Sequence, residues 1–369
     1  MSTHTDLDMP SREELARATS KPMPRWVTTV SAAFAVIGIL VFLAGALTGQ
    51  DRAWPALHFN WLFFASVSQA GVIFVAVQRI TTARWSRPIV RLLEGYVAFL
   101  PVALLLLVLI LAGGKHIFPW YTQTPPVPEK RFFLGTGFFV TREIAMFAIL
   151  TALSLWYIYR CVRLDVAALP GDSGAAWAKG IRARMRRGFG DERREIHSTH
   201  SMQGTLAVVL CLLFNFFYIV HSWDLSMSLD MFFQSTMYGW WFYMGAWVAA
   251  IMSWSLLVMW WRKHLAADDY ITEHHFHDLG KLGFAFTAFW GYLTFAQYLV
   301  VWYGNLPEET HWFHLRLIQP WEGKTLAIVF LAFVIPFFGL LSRAAKVYLP
   351  TFFLFALSSV VGIWLMRYI

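Results

Sequence analysis

Nine long apolar runs dominate this sequence and leave it very few ways to fold. They lie at roughly 26–47, 60–79, 92–112, 132–159, 202–221, 239–261, 281–303, 325–342 and 347–366. A helix needs about 20 mainly apolar residues to cross the hydrocarbon core of a bilayer. Only helices and closed barrels satisfy their backbone hydrogen bonds there, and barrel strands would alternate polar with apolar residues. Unbroken runs therefore predict an all-α polytopic membrane protein of about nine transmembrane helices. The polar residues 1–25 read as an N-terminal tail, and 26–369 as a single transmembrane domain. Hydrophobic residues make up 58% of the chain and charged ones 14%, against about 45–50% and about 25% in soluble domains. A soluble enzyme and a disordered chain are both excluded.

Charge is distributed unevenly among the loops. With the N-terminus inside, the 30 Lys and Arg divide into 22 inside, 7 outside and Arg142 within a span. Omitting the long basic loop 160–201, with its nine cations, still leaves 13 against 7. The positive-inside rule thus predicts a cytoplasmic N-terminus in a multi-pass protein, with the C-terminus on the opposite side. The net charge of +8 reads as a topology label, and no nucleic-acid partner is expected. Within the loop, Trp177, Ile181 and Met185 recur every fourth residue among arginines. That is the pattern of an amphipathic helix lying on anionic lipid headgroups. The run at 26–47 exceeds the apolar core of a signal peptide, so it is expected to stay as an anchor.

Ionisable residues inside a span are expensive, and each is a functional candidate. Arg142 and Glu143 fall about eleven residues into the fourth run, near mid-membrane by this reading, and Glu94 near the inner end of the third. They read either as an Arg–carboxylate pair that fixes packing or as parts of a proton relay. A second cluster is expected at the outer surface: His221 closes the fifth run and leads into Trp223, Asp224 and Asp230. A His beside an Asp can take protons from a hydroquinone. A third lies inside, where His274, His277 and Asp278 share one helical face at i, i+3 and i+4. No further ligand set accompanies these three, and no metal is expected. Successive depths suggest a proton path from His274, His277 and Asp278 through Glu94, Glu143 and Arg142 to Asp224 and Asp230. Pro101 and Pro336 are candidate kinks. Cys161 and Cys211, the only cysteines, cannot ligate an iron–sulfur cluster or attach a c-type haem, so electrons would travel through a partner.

Particular segments carry a family resemblance. The run Ser228-Leu229-Asp230-Met231-Phe232-Phe233-Gln234-Ser235-Thr236-Met237-Tyr238-Gly239 is similar to the SLD..W.ST..G segment of NrfD-like membrane subunits of alternative complex III. Phe232 or Phe233 stands where that pattern has Trp. His277 to Leu282, Ala285-Phe286-Thr287, Phe289-Trp290, Gln297-Tyr298, Trp302-Tyr303, Asn305 and Pro307 to Thr310 resemble the ActF-like chains, the quinone-binding subunit 2 type. The likeness extends over about 60–340. It implies a subunit of a quinol:cytochrome c oxidoreductase in a bacterial inner membrane, built of two four-helix bundles with peripheral helices, usually ten spans in all. It further implies partners: an ActC-like NrfD-type membrane subunit, an iron–sulfur subunit and c-type cytochrome subunits, besides lipids. Haem c and iron–sulfur clusters would reside in those partners, with menaquinol or ubiquinol as substrate and no cofactor bound directly here.

Two competing readings remain. One is a quinol site formed in this chain by His221, Trp223 and Asp224. The other is a stand-alone secondary transporter, against which the sequence lacks the paired Gly-rich unwound helices of such proteins.

Overall fold

The computed structural model describes residues 11, 13, 14, 21–170 and 176–369. Most of the tail read at 1–25, and residues 171–175 of the basic loop, lie outside the described residues. Among the described residues there is no strand, and nine helices are long and apolar enough to cross a membrane. They are α1 (Arg25–Leu47), α2 (Ala53–Ile80), α3 (Val90–Ala112), α4 (Thr136–Ala168), α5 (Glu192–Leu225), α6 (Tyr238–Leu265), α7 (Glu273–Gly304), α8 (Glu322–Gly339) and α9 (Leu349–Tyr368). The expected all-α polytopic architecture is observed.

Packing divides eight of these helices into two groups of four. In the first, α2 lies against α3 and α5, and α4 against the same two. In the second, α6 lies against α7 and α9, and α8 bridges α7 and α9. The groups join where α6 meets α2 and α5, and where α9 meets α2. The central pair, α2 and α6, carries small buried residues, among them Ala70 and Ala76 on one and Ala246, Ala249 and Ala250 on the other. Small side chains let helix backbones approach when lipid gives no hydrophobic push. Helix α1 has no buried residue. It rests on the start of α2, with Phe42 edge-on to Trp54 at 5.2 Å.

Both prolines read as kinks deform their helices, in different ways. A proline lacks the N–H that bonds residue i−4 and crowds that carbonyl. Before Pro101 the chain tightens into a 3-10 turn over Gly95–Phe99, which contains Val97, the residue losing its bond. Before Pro336 it widens into a π-helical segment over Val329–Val334, which contains Ala332. The wide segment is packed by Gly362 of α9, where an added Cβ would lie 2.5 Å from the Ala332 backbone nitrogen. Only glycine fits that crossing.

Several boundaries differ from those read in the sequence. Helix α5 continues a full turn past 221 to Leu225. Helix α7 starts at Glu273 rather than 281, capped by Thr272 and His275, so His274, His277 and Asp278 form its opening turns. The basic loop shrinks to 169–191, because α4 and α5 extend into it. It contains a short helix, Lys179–Arg186, with Trp177 and Ile181 exposed. Arginines tie the loop to the protein: its Arg186 donates to the Val166, Leu169 and Pro170 carbonyls, and Arg163 of α4 donates to the Met185 carbonyl.

Candidate functional site

The first bundle brings four ionisable side chains together from α4 and α5. Arg142 and Glu143 are consecutive, so the helix turns them about 100° apart and each finds a different partner. His221 and Asp224 are three apart on α5 and share a face. Arg142 donates to Asp224 Oδ2 from Nε at 2.9 Å and from an Nη at 2.7 Å. His221 Nδ1 is hydrogen-bonded to Glu143 Oε2. The Glu143 and Asp224 carboxyl groups are themselves adjacent. Glu143 and Asp224 are fully buried, and His221 nearly so.

This overturns two readings of the sequence. Arg142 and Glu143 are not an ion pair with each other. Arg142 is the seventh residue of α4, because that helix begins at Thr136 rather than 132. His221 and Asp224 are not a solvated surface cluster, because the helix carries both into the bundle. The expected mid-span and outer clusters are one site.

Its surroundings hold it rigid. Arg142 also donates to the Phe133 carbonyl at 3.1 Å, with its guanidinium 3.9 Å from the Phe133 ring centre and 4.5 Å from that of Phe138. The His221 ring meets Phe147 and Tyr218 edge-on. Buried atoms His221 Nε2, Glu143 Oε1 and Asp224 Oδ1 have no hydrogen-bond partner. Two carboxyls, an imidazole and a guanidinium can be electrically neutral with a proton on the imidazole or on a carboxyl. Chemically the set is a proton store with two positions.

A line of buried polar residues continues from Glu143 along the same face of α4: Thr151, Ser154, Tyr157 and Cys161, with Phe147 and Leu150 between the first two members. Gln69 of α2 donates to Ser154 Oγ at 2.9 Å, and Gln203 of α5 to Cys161 Sγ at 2.8 Å. At the far end of the bundle Glu94, buried in α3, accepts from Arg91 at 2.5 Å and 2.6 Å. Arg91 also pairs with Asp165 of α4 at 2.6 Å. Sequence reasoning used Arg91 only as a topology cation and missed Asp165, Tyr157, Ser154 and Gln203. The signal was present: 143, 147, 150, 154, 157, 161 and 165 recur at helical spacing on one face.

Other candidates land elsewhere. His274, His277 and Asp278 open α7 in the second bundle, where Asp278 pairs with Lys281 at 2.6 Å. The structure does not bring them to Glu94, whose partner is Arg91. Asp230 lies beyond α5 and is separate from Asp224. Its Oδ1 accepts from the Phe232 and Phe233 amides, and Oδ2 faces His311 at 3.8 Å. Nearby Lys130 donates to the Met231 and Phe233 carbonyls, and burial holds its ammonium below the usual lysine range against the pull of Asp230. Trp223 is half-buried, with its indole nitrogen unpartnered. Among the described residues no three His, Cys, Asp or Glu side chains form a metal-binding group.

One void adjoins the cluster and a second lies apart from it. The one lined by His221, Tyr218, Phe242 and Trp61 is about 10 Å³. The other, about 1340 Å³, is lined by His58, Tyr238, Trp290, Trp312, Arg316 and Arg367 among others, and neither His221 nor Glu143 reaches it. No family model matches the chain, and no curated protein is significantly similar to it.

Proposed function

We propose that this chain is a membrane subunit, without a redox centre of its own, of a quinol:electron-acceptor oxidoreductase of the alternative complex III type, and that its first bundle conducts protons. The observation that carries the second half is the buried polar line from Arg142, Glu143, His221 and Asp224 to Glu94, whose partner Arg91 and that arginine's partner Asp165 are exposed at the bundle's far end. Buried ionisable groups in a membrane bundle are costly and serve ion or proton movement. The first half rests on the resemblance of the 228–242 and 277–310 segments. On this reading the partners are an ActC-like membrane subunit, an iron–sulfur subunit and c-type cytochromes in a bacterial inner membrane, with the N-terminus cytoplasmic. Menaquinol or ubiquinol is oxidised elsewhere in the complex. The inner entrance of the path is then the Glu94, Arg91 and Asp165 group, in place of the α7 histidines.

A quinol ring at His221, Trp223 and Asp224 finds little support, because the void beside His221 holds less than one ring. The test is Glu143→Gln in the purified complex, reconstituted in vesicles. Quinol oxidation should lose its coupled proton movement by tenfold or more, while haem and iron–sulfur absorbance stays with the preparation. Unchanged proton stoichiometry and rate would remove Glu143 from any path. Purification of the chain alone, free of those absorbances, would favour a transporter and sink the respiratory assignment.

A further inference from the structure

The large cavity lies at the same end of the molecule as Asp224 but belongs mainly to the second bundle, where α7, α8 and α9 meet the start of α2. Four cations line it, Arg52, Arg316, Lys324 and Arg367, with two side-chain carboxylates, Asp51 and Asp230. Asp230 accepts from two backbone amides, faces His311 at 3.8 Å and attracts the Arg316 guanidinium, which leaves Arg367 without a carboxylate partner. Among the described residues none of the four cations has an Asp or Glu within 4 Å.

Arg367 is the most exceptional of them. It is 8% exposed at the penultimate position of a membrane-spanning helix. Its one hydrogen bond among the described residues goes to the Phe242 carbonyl at 2.6 Å, and its guanidinium stacks 3.4 Å from the centre of the Phe242 ring. Its Nε is buried without any acceptor. Arg316 donates to the Trp312 carbonyl at 2.8 Å and to the main-chain oxygen of Ile369, the last residue of the sequence, at 2.7 Å, and burial lowers its pKa to about 10 against the pull of Tyr238 and Asp230. A buried cation without an anion is strongly unfavourable, and Arg367 has no carboxylate within 4 Å among the described residues, so the cavity favours a negative charge brought to Arg367.

The rest of the wall describes what carries that charge. Aromatic and aliphatic side chains dominate it, including Trp241, Trp290 and Phe313. Phe295 of α7, Val329 of α8 and Tyr368 of α9 belong to the wall and are exposed. A free inorganic anion has no use for such a wall, whereas an amphiphile does. We propose that the cavity binds an anionic phospholipid, its phosphate on Arg367 and Arg316 and its acyl chains along the aromatic wall between α7, α8 and α9. Arginine suits the role because its planar fork grips phosphate oxygens in pairs. The proposal is independent of proton conduction.

The test uses the purified full-length protein in detergent, with whatever subunits accompany it. Native mass spectrometry and thermal unfolding are followed while phosphatidylglycerol, phosphatidylcholine or inorganic phosphate is added. Phosphatidylglycerol should be retained and should raise the melting temperature, with about tenfold preference over phosphatidylcholine. Arg316→Gln and Arg367→Gln should each abolish most of that preference, and Arg367→Lys should keep part of it. Equal binding of the two lipids, equal stabilisation by inorganic phosphate, or displacement of the lipid by an equimolar quinone would overturn the assignment. Should Arg367→Gln fail to fold, the wild-type titrations still decide.

Discussion

The two four-helix bundles are built alike but bury opposite chemistry. Among the described residues, every buried carboxylate and imidazole lies in the first: His58, Glu94, Glu143, His221 and Asp224. The second half of the chain buries Arg367 in α9, and Lys346 in the connection leading to it, with no carboxylate beside either. Charge in the first bundle is balanced internally, through Arg142 with Asp224 and Arg91 with Glu94 and Asp165. The buried charge of Arg367 in the second has no carboxylate within 4 Å among the described residues. One bundle is self-sufficient and suited to moving a proton among its own groups. The other is suited to receiving an anion.

The largest effect should come from breaking the internal balance. Arg142→Met leaves Asp224 buried and unpaired and should cost about 3–5 kcal/mol, read by unfolding in detergent. Adding Asp224→Leu should restore most of the loss, and the pair in a double-mutant cycle measures the coupling. Arg367→Met abandons no carboxylate and should cost clearly less. Equal losses at the two sites would erase the contrast between the bundles.

A steric test of the second bundle follows. Gly362→Ala places a Cβ against the Ala332 backbone and should cost about 1–3 kcal/mol through overpacking. Gly38→Ala in α1, with nothing within 4 Å of its added Cβ, should cost nothing in the same melting assay. The smallest effect sharpens the comparison most. Ser154 accepts from Gln69, so Ser154→Ala should cost about 1 kcal/mol. Ser359 of α9 is equally buried, but its hydroxyl has no partner, so Ser359→Ala should be neutral or stabilising. The reverse order would mean that the Gln69 contact does not hold the polar line in place.

The spans were legible because length and hydropathy are local quantities. Partner choice was not, because it depends on which helix faces which. Arg142 meets Asp224 across 82 positions of sequence, and nothing in either neighbourhood names the other. Adjacency misled at Arg142-Glu143, since consecutive residues on a helix point apart. Polarity misled at His221: Ser222, Asp224 and Ser226 look like a loop, yet Ser222 bonds back to the Ile219 carbonyl and lets the helix run on. Both prolines were legible as breaks, but whether the helix tightens or widens there was not. The neighbours decide that, with Gly362 filling the wide turn.

Helix α1 buries nothing, is apolar all round and touches the body only near its end. Its place in the bilayer is therefore a matter of partitioning, decided when about 20 apolar residues leave water, and no tertiary contact has to form first. The remaining eight helices reach their final arrangement only by finding each other. Biogenesis then has two clocks. Helix α1 can enter the membrane without them, while the bundles, with their buried charges, must wait for residues made later: Arg142 for Asp224, and the wide turn of α8 for Gly362 of α9.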